Sequence, residues 1–288
     1  MLKKLFKHDM KYMSRSLPLI FAGVLAITIL MSGFMALLVS LAPVDNQPVL
    51  ISICMICYFI FLFSTVLPSL TGFAAQVIHM VRVYKNMFSQ EGYLTFTLPV
   101  SQKDIVKSKI LAGGLWQIIA GIVTVLCLVI LIGAFFGCVF IVMLRLDLLS
   151  TGPYPNEDPF TWEMFLSTFG ENWYINIISL VVGLIASVVS CFASSAMVVL
   201  AFSLGNMVKK GKILLSVAMH LVITWAVSGI TSIGSLAIQL LFVGVNTVEG
   251  INVVVLITSI LSLVLSVALL IASYIGSCRI AKYKLNLT

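Results

Sequence analysis

Long apolar runs and short charged clusters alternate along this chain in a pattern that no single soluble core would produce. Asp, Glu, Lys and Arg are missing from roughly 16–44, 46–81, 110–144, 172–208, 213–248 and 250–278. About 20 residues at ~1.5 Å rise carry a helix across ~30 Å of hydrocarbon, so every run is long enough to span. The pattern predicts an all-α membrane protein with six transmembrane helices, at about 17–42, 52–79, 112–141, 176–204, 214–242 and 252–277. Several runs exceed the hydrocarbon thickness and must tilt, break or continue into water.

A different periodicity precedes the first span. Leu2, Phe6, Met10, Met13 and Leu17 fall within about 80° of arc at about 100° per residue, with Lys4, Lys7, Lys11 and Arg15 on the opposite side. This predicts an amphipathic helix over residues 1–16 that lies on the inner leaflet, its basic face toward anionic head groups. Pro18 then sits where a new helix can start. A signal peptide is the weaker reading of this start, because an h-region is only about 7–15 residues and five further spans follow.

Composition and charge agree with this picture. Of the 288 residues 61% are hydrophobic and 9% charged, against about 25% charged in soluble domains. With the N-terminus inside, every basic residue except Arg145 falls on the cytoplasmic side, whereas Asp45, Asp147, Glu157, Asp158, Glu163, Glu171 and Glu249 fall outside. The net charge of +7 therefore reports topology, and nucleic acid is not an expected partner. Cys54, Cys57, Cys127, Cys138, Cys191 and Cys278 lie in or beside spans, which argues against a disulfide framework.

Two connections are large enough to carry function. Outside, residues 145–174 contain Pro153, Pro155 and Pro159 and a predicted short helix from Thr161 to Phe169, a size suited to a lid or a partner contact. Trp162, Trp173 and Tyr174 read as an interfacial aromatic belt. Inside, residues 81–110 read VRVYKNMFSQEGYLTFTLPVSQKDIVKSKI. Pro99 stops a helix at or before Leu98, and Ser101 with Asp104 resembles a capping box that opens the helix of the third span. Alternation through Tyr93 to Leu98 fits a strand, but an isolated strand has nothing to pair with, so a short helix from near Ser89 is preferred. Its exposed Tyr93, Leu94, Phe96 and Leu98 need a cover. Both the membrane interface and a groove on a soluble protein would supply one.

Candidate chemistry is sparse. No Asp, Glu, Lys or Arg falls inside the predicted spans, although ion-coupled carriers place such groups near the midplane. His220 is the one titratable side chain well inside a span, about 12 Å along its helix from Lys212. A packed, hydrogen-bonded histidine is preferred to a proton relay. Gln76, Gln117 and Gln239 could bond between helices or line a polar path, with interhelical bonding the simpler assignment. Gly133 and Gly137 form a GxxxG pattern that predicts close helix packing, with self-association as the alternative. The stretch GNMVKKGKI resembles a P-loop, but its glycines are spaced wrongly and Ile213 stands where Ser or Thr would hold magnesium. Cys54 and Cys57 have redox spacing without a redox fold, so packing is expected. With no HExxH and no nucleophile elbow, the chain is not expected to be an enzyme, to hold a metal or to carry a cofactor.

The inner connection also carries a family resemblance. YKNMFSQEGYLTFTLPVSQKDIVKSK, residues 84–109, resembles the cytoplasmic loop of bacterial ABC-2-type transporter permeases of the Firmicutes kind, and LFKHDMKYMSR resembles their N-terminal start. The six-span layout extends the similarity over the whole chain, with only the loop specific. The resemblance implies a permease subunit in the bacterial plasma membrane with both termini cytoplasmic, paired with a second permease chain, same or homologous. Separate ATPase subunits would bind ATP and magnesium. It further implies that Glu91, Gly92, Tyr93, Leu94, Phe96, Leu98 and Pro99 belong to a coupling helix seated on the ATPase, and that residues 2–15 form an elbow helix at the membrane surface. Export of an amphipathic peptide, drug or lipid is the expected activity. The alternatives are a membrane sensor or immunity subunit that binds an extracellular peptide, and an ion-coupled carrier, which the missing intramembrane carboxylates disfavour.

Overall fold

The computed structural model describes residues 2–42, 47–89, 101–145, 173–208, 211–241 and 248–283. Among these the secondary structure is helical throughout: α1 (Leu2–Met13), α2 (Leu17–Ser40), α3 (Gln47–Ser64), α4 (Val66–Phe88), α5 (Gln102–Arg145), α6 (Trp173–Gly205), α7 (Lys212–Leu241) and α8 (Val248–Tyr283). Among the described residues six stretches are long and apolar enough to cross a membrane: Leu17–Ser40, Ser52–Phe88, Gln102–Val142, Tyr174–Gly205, Lys212–Leu241 and Asn252–Ala281. The chain is a multi-pass membrane protein by this criterion. Residues 2–13 are helical, within the amphipathic helix expected over 1–16, whereas residues 91–99 and the loop helix expected at 161–169 lie outside the described residues.

Several helices run well past the spans that charge alone delimits. The 44 residues of α5 make a rod of about 66 Å, roughly twice the hydrocarbon thickness. It starts at Gln102, ten residues before the expected span, because Ser101 caps it: the Asp104 amide donates to the Ser101 hydroxyl at 3.2 Å.

The second span is two helices that meet at Thr65. Pro68 has no N–H to give the Ser64 carbonyl, so the ladder opens there. Side chains compensate locally: the Ser64 hydroxyl donates to Phe61 O at 2.9 Å and the Thr65 hydroxyl to Leu62 O at 2.6 Å. On the far side of the break, the Pro68 carbonyl lies 2.7 Å from the Thr71 hydroxyl and 3.1 Å from that of Thr124 on α5.

The chain divides into two compact units, one of Met1–Met13, Gln76–Ile118 and Phe160–Thr288, the other of Ser14–Ala75 and Ile119–Pro159. In the first, α8 and α7 both pack along α6. Its apolar core gathers Val83 and Met87 of α4, Ile105, Val106 and Ile110 of α5, and Val198, Val199 and Phe202 of α6. These residues sit next to the charged helix ends, so this region is built like the interior of a water-soluble protein. Gly205 ends α6 against the Ser216 backbone, and Gly211 caps α7 with φ 71°. The stretch that resembled a P-loop is therefore flanked by helix on both sides.

In the second unit, Met35, Val39, Cys57, Leu131 and Cys138 form the core, and Phe61 stacks on Phe135 with centroids 4.6 Å apart. Cys54 and Cys57 are free thiols, and Cys57 packs as expected. The GxxxG expectation fails within this chain. A Cβ on Gly133 or Gly137 would meet nothing within 4 Å, whereas Gly113, Gly114, Gly205 and Gly276 are the glycines pressed against neighbouring helices. A GxxxG pattern marks a smooth helix face without saying which surface it meets.

Candidate functional site

One side of α4 carries Gln76, His79, Arg82 and Asn86, spaced three or four residues apart and therefore in one stripe. Facing it on α5 are Lys109, Gly113 and Gln117, each four residues from the next. The two stripes bring together a column of polar side chains within the first unit, completed by α1, α6 and α7.

At the charged end the column is ionic. The Asp9 carboxylate accepts from Lys109 Nζ at 2.6 and 2.7 Å, from Arg82 Nε at 3.0 Å and from Asn86 Nδ2 at 3.2 Å. All three ions are shut away, with Asp9 1%, Lys109 2% and Arg82 4% exposed. Two cations share one carboxylate, which leaves a net positive charge in a dry place. Arg82 disperses part of it: Nη2 donates to His8 Nδ1 at 2.8 Å, and the guanidinium lies 4.3 Å from the Tyr12 ring centroid. Arginine can only donate, so His8 accepts through Nδ1 and carries its proton on Nε2.

This cluster corrects the sequence reading of α1. The buried side of that helix is centred on Asp9 and Met13, with Leu2, Phe6 and Met10 only partly covered. Lys4, Lys7 and Lys11 are exposed on the opposite side as expected, and Arg15 is exposed in the turn that follows. Arg82 and Lys109, read as flanking charges, are instead structural ions. A signal for this was present: Asp9 is the one acid among the cations of α1, and it lies four residues before Met13 on the same helical side.

One turn farther along α4, His79 Nε2 lies 3.0 Å from the Ser195 hydroxyl of α6. Both are buried. Gly113 makes this contact possible, since a Cβ there would run into the Ser195 oxygen and the His79 ring.

Deeper still, Gln76 joins four helices. Its Oε1 accepts from Gln117 Nε2 and from the Ser194 hydroxyl at 3.4 Å, and its Nε2 meets His220 Nε2 at 3.2 Å. With Oε1 already accepting, Gln76 Nε2 is the donor to His220, and the imidazole proton is left on Nδ1. His220 is 5% exposed, and that Nδ1 has no hydrogen-bond partner among the described residues. An unmet buried donor costs about 1–3 kcal/mol. Of the residues expected to line a polar path, Gln76, Gln117 and His220 are thus brought together. Gln239 is not: it is exposed on α7, about 28 Å along the helix from His220.

Replacing Gln76 tests this junction. Gln76→Leu should lower the unfolding free energy in detergent by about 1–2 kcal/mol, because it strands groups on α5, α6 and α7 together. Gln239→Leu should stay within about 0.5 kcal/mol of the unaltered chain.

No protein-family model, curated protein or solved structure matches this chain.

Proposed function

We propose that the chain is the membrane-spanning permease subunit of an ATP-binding-cassette transporter of the ABC-2 type. In this reading it exports an amphipathic peptide, drug or lipid from a bacterial cell, with both termini cytoplasmic. Separate ATPase subunits hold ATP and magnesium, and a second permease chain, same or homologous, completes the pathway. The loop resemblance at residues 84–109 and the six candidate spans support this reading.

The observation that carries it furthest is the Asp9 cluster. The helices that enter and leave residues 90–100 are both tied to α1 by one carboxylate, through Arg82 on α4 and Lys109 on α5. A push on Glu91 to Leu98 would not be absorbed at loose helix ends. Pro99 and the Ser101 cap would pass it to α5, and the buried ions would carry α1 and α4 along. The same two helices hold Gln76 and Gln117, so a displacement would reach His220, whose buried Nδ1–H has no partner among the described residues. Such a relay needs a bundle with two packings and an ATPase contact that differs between them.

Glu91→Lys and Leu94→Asp test the reading at the proposed contact. Each should cut recovery of the ATPase with the purified chain at least tenfold while leaving helix content by circular dichroism unchanged. Undiminished ATPase recovery together with undiminished ATP-dependent transport in both variants would refute the coupling role.

A further inference from the structure

The side of α1 that carries Asp9 and Met13 also borders, toward its N-terminus, a groove with no role in the mechanism above. Leu2 and Phe6 form one wall, Leu111 and Leu115 of α5 the other, with Lys3 at the rim, around a cavity of about 220 Å³. We infer that this groove seats one acyl chain of an anionic phospholipid from the surrounding bilayer, with its phosphate held by Lys3 and Lys7.

Four observations select that occupant. At about 220 Å³ the groove holds a run of methylenes but not a helix about 10 Å across, so a second copy or a partner helix does not fit inside it. Leu111 is 39% exposed and lies nine residues into a stretch apolar enough to span, where an uncovered leucine is suited to lipid contact. Lys3 lines the apolar slot, and Lys7 follows it by one turn on the same exposed side of α1, so a second cation stands within a helical turn of the one at the slot. A buried chain alone holds a membrane ligand only marginally, and a chain plus basic side chains holds it stably. The walls are also preformed. Asp9 fixes α1, and its partner Lys109 lies two residues before Leu111 on α5. This seat does not depend on the chain working with an ATPase.

The test is native mass spectrometry of the full-length chain released from nanodiscs made of equal parts phosphatidylglycerol and phosphatidylcholine. The unaltered chain should keep one tightly held lipid, enriched in phosphatidylglycerol. Each lysine reversal, Lys3→Glu or Lys7→Glu, changes the charge by two units and should lower that enrichment roughly thirtyfold, at about 1 kcal/mol per charge near the surface. Leu111→Trp should displace the lipid whatever its head group, by filling the slot. Both lysines are exposed, so the reversals, singly or combined in a double reversal, leave the core intact, and circular dichroism checks the folding of all four variants. Equal retention of the two lipids by the unaltered chain would overturn the inference. So would undiminished phosphatidylglycerol enrichment in the double reversal, or a lipid that stays bound in Leu111→Trp.

Discussion

Asp9→Ala is expected to lower the stability of the chain by about 3–5 kcal/mol, the largest effect of any single side-chain truncation outside the apolar cores. The reason is what remains behind. Arg82 and Lys109 are almost wholly buried, and without the carboxylate each becomes a desolvated cation with its partner removed. Asp9→Asn should lose a comparable amount, since the amide keeps one acceptor but no charge and turns an NH2 donor toward the two cations. Replacing all three ions together, Asp9→Leu with Arg82→Met and Lys109→Met, should recover most of the loss, because a buried ion group is costly to break and cheap to substitute as a whole. Reversible unfolding in detergent, read by circular dichroism, separates these outcomes. A loss below about 1 kcal/mol for Asp9→Ala would match an exposed surface pair and would sink the buried cluster.

Gly113→Val is the second large expectation, at about 2–4 kcal/mol. Its Cβ would occupy the space of the Ser195 hydroxyl and the His79 ring, which forces overpacking of about 1–3 kcal/mol and breaks a buried hydrogen bond. Valine at Gly121, where a Cβ would meet nothing within 4 Å, provides the control and should cost little. The mechanism is checked by a double-mutant cycle. Gly113→Ala should be much less damaging in a His79→Ala background, and simple additivity of the two changes would show that the clash is not what matters.

These two sites also mark where sequence reasoning stops. The spans were legible because lipid imposes a length and a composition on each helix. Ser101 was legible because capping is local, decided within four residues. Asp9 was legible only as the one acid among the cations of α1: its partners lie 73 and 100 positions away, and a one-dimensional charge count does not separate a flanking cation from a buried one. Arg82 and Lys109 sit just beyond the predicted spans, where the positive-inside pattern absorbed them without remainder. Gly113 was hidden for a related reason. Its use depends on which side chains face it across helices, so the glycines with a familiar spacing, Gly133 and Gly137, drew attention while standing in open space. Gln76, Gln117 and His220 were picked out as polar residues in apolar surroundings, but only the fold shows that they share one junction and that Gln239 does not.

The tie between α1, α4 and α5 gives the coupling account a definite mechanical form, yet its central claim concerns a partner. The most direct measurement is a pull-down of the intact chain from its native membrane, with every co-purifying protein identified. The account predicts an ATPase subunit and a second permease chain in stoichiometric amounts, with the ATPase lost from the Leu94→Asp variant. A chain recovered without any ATPase, or one that transports when purified alone and driven only by an ion gradient, would contradict it.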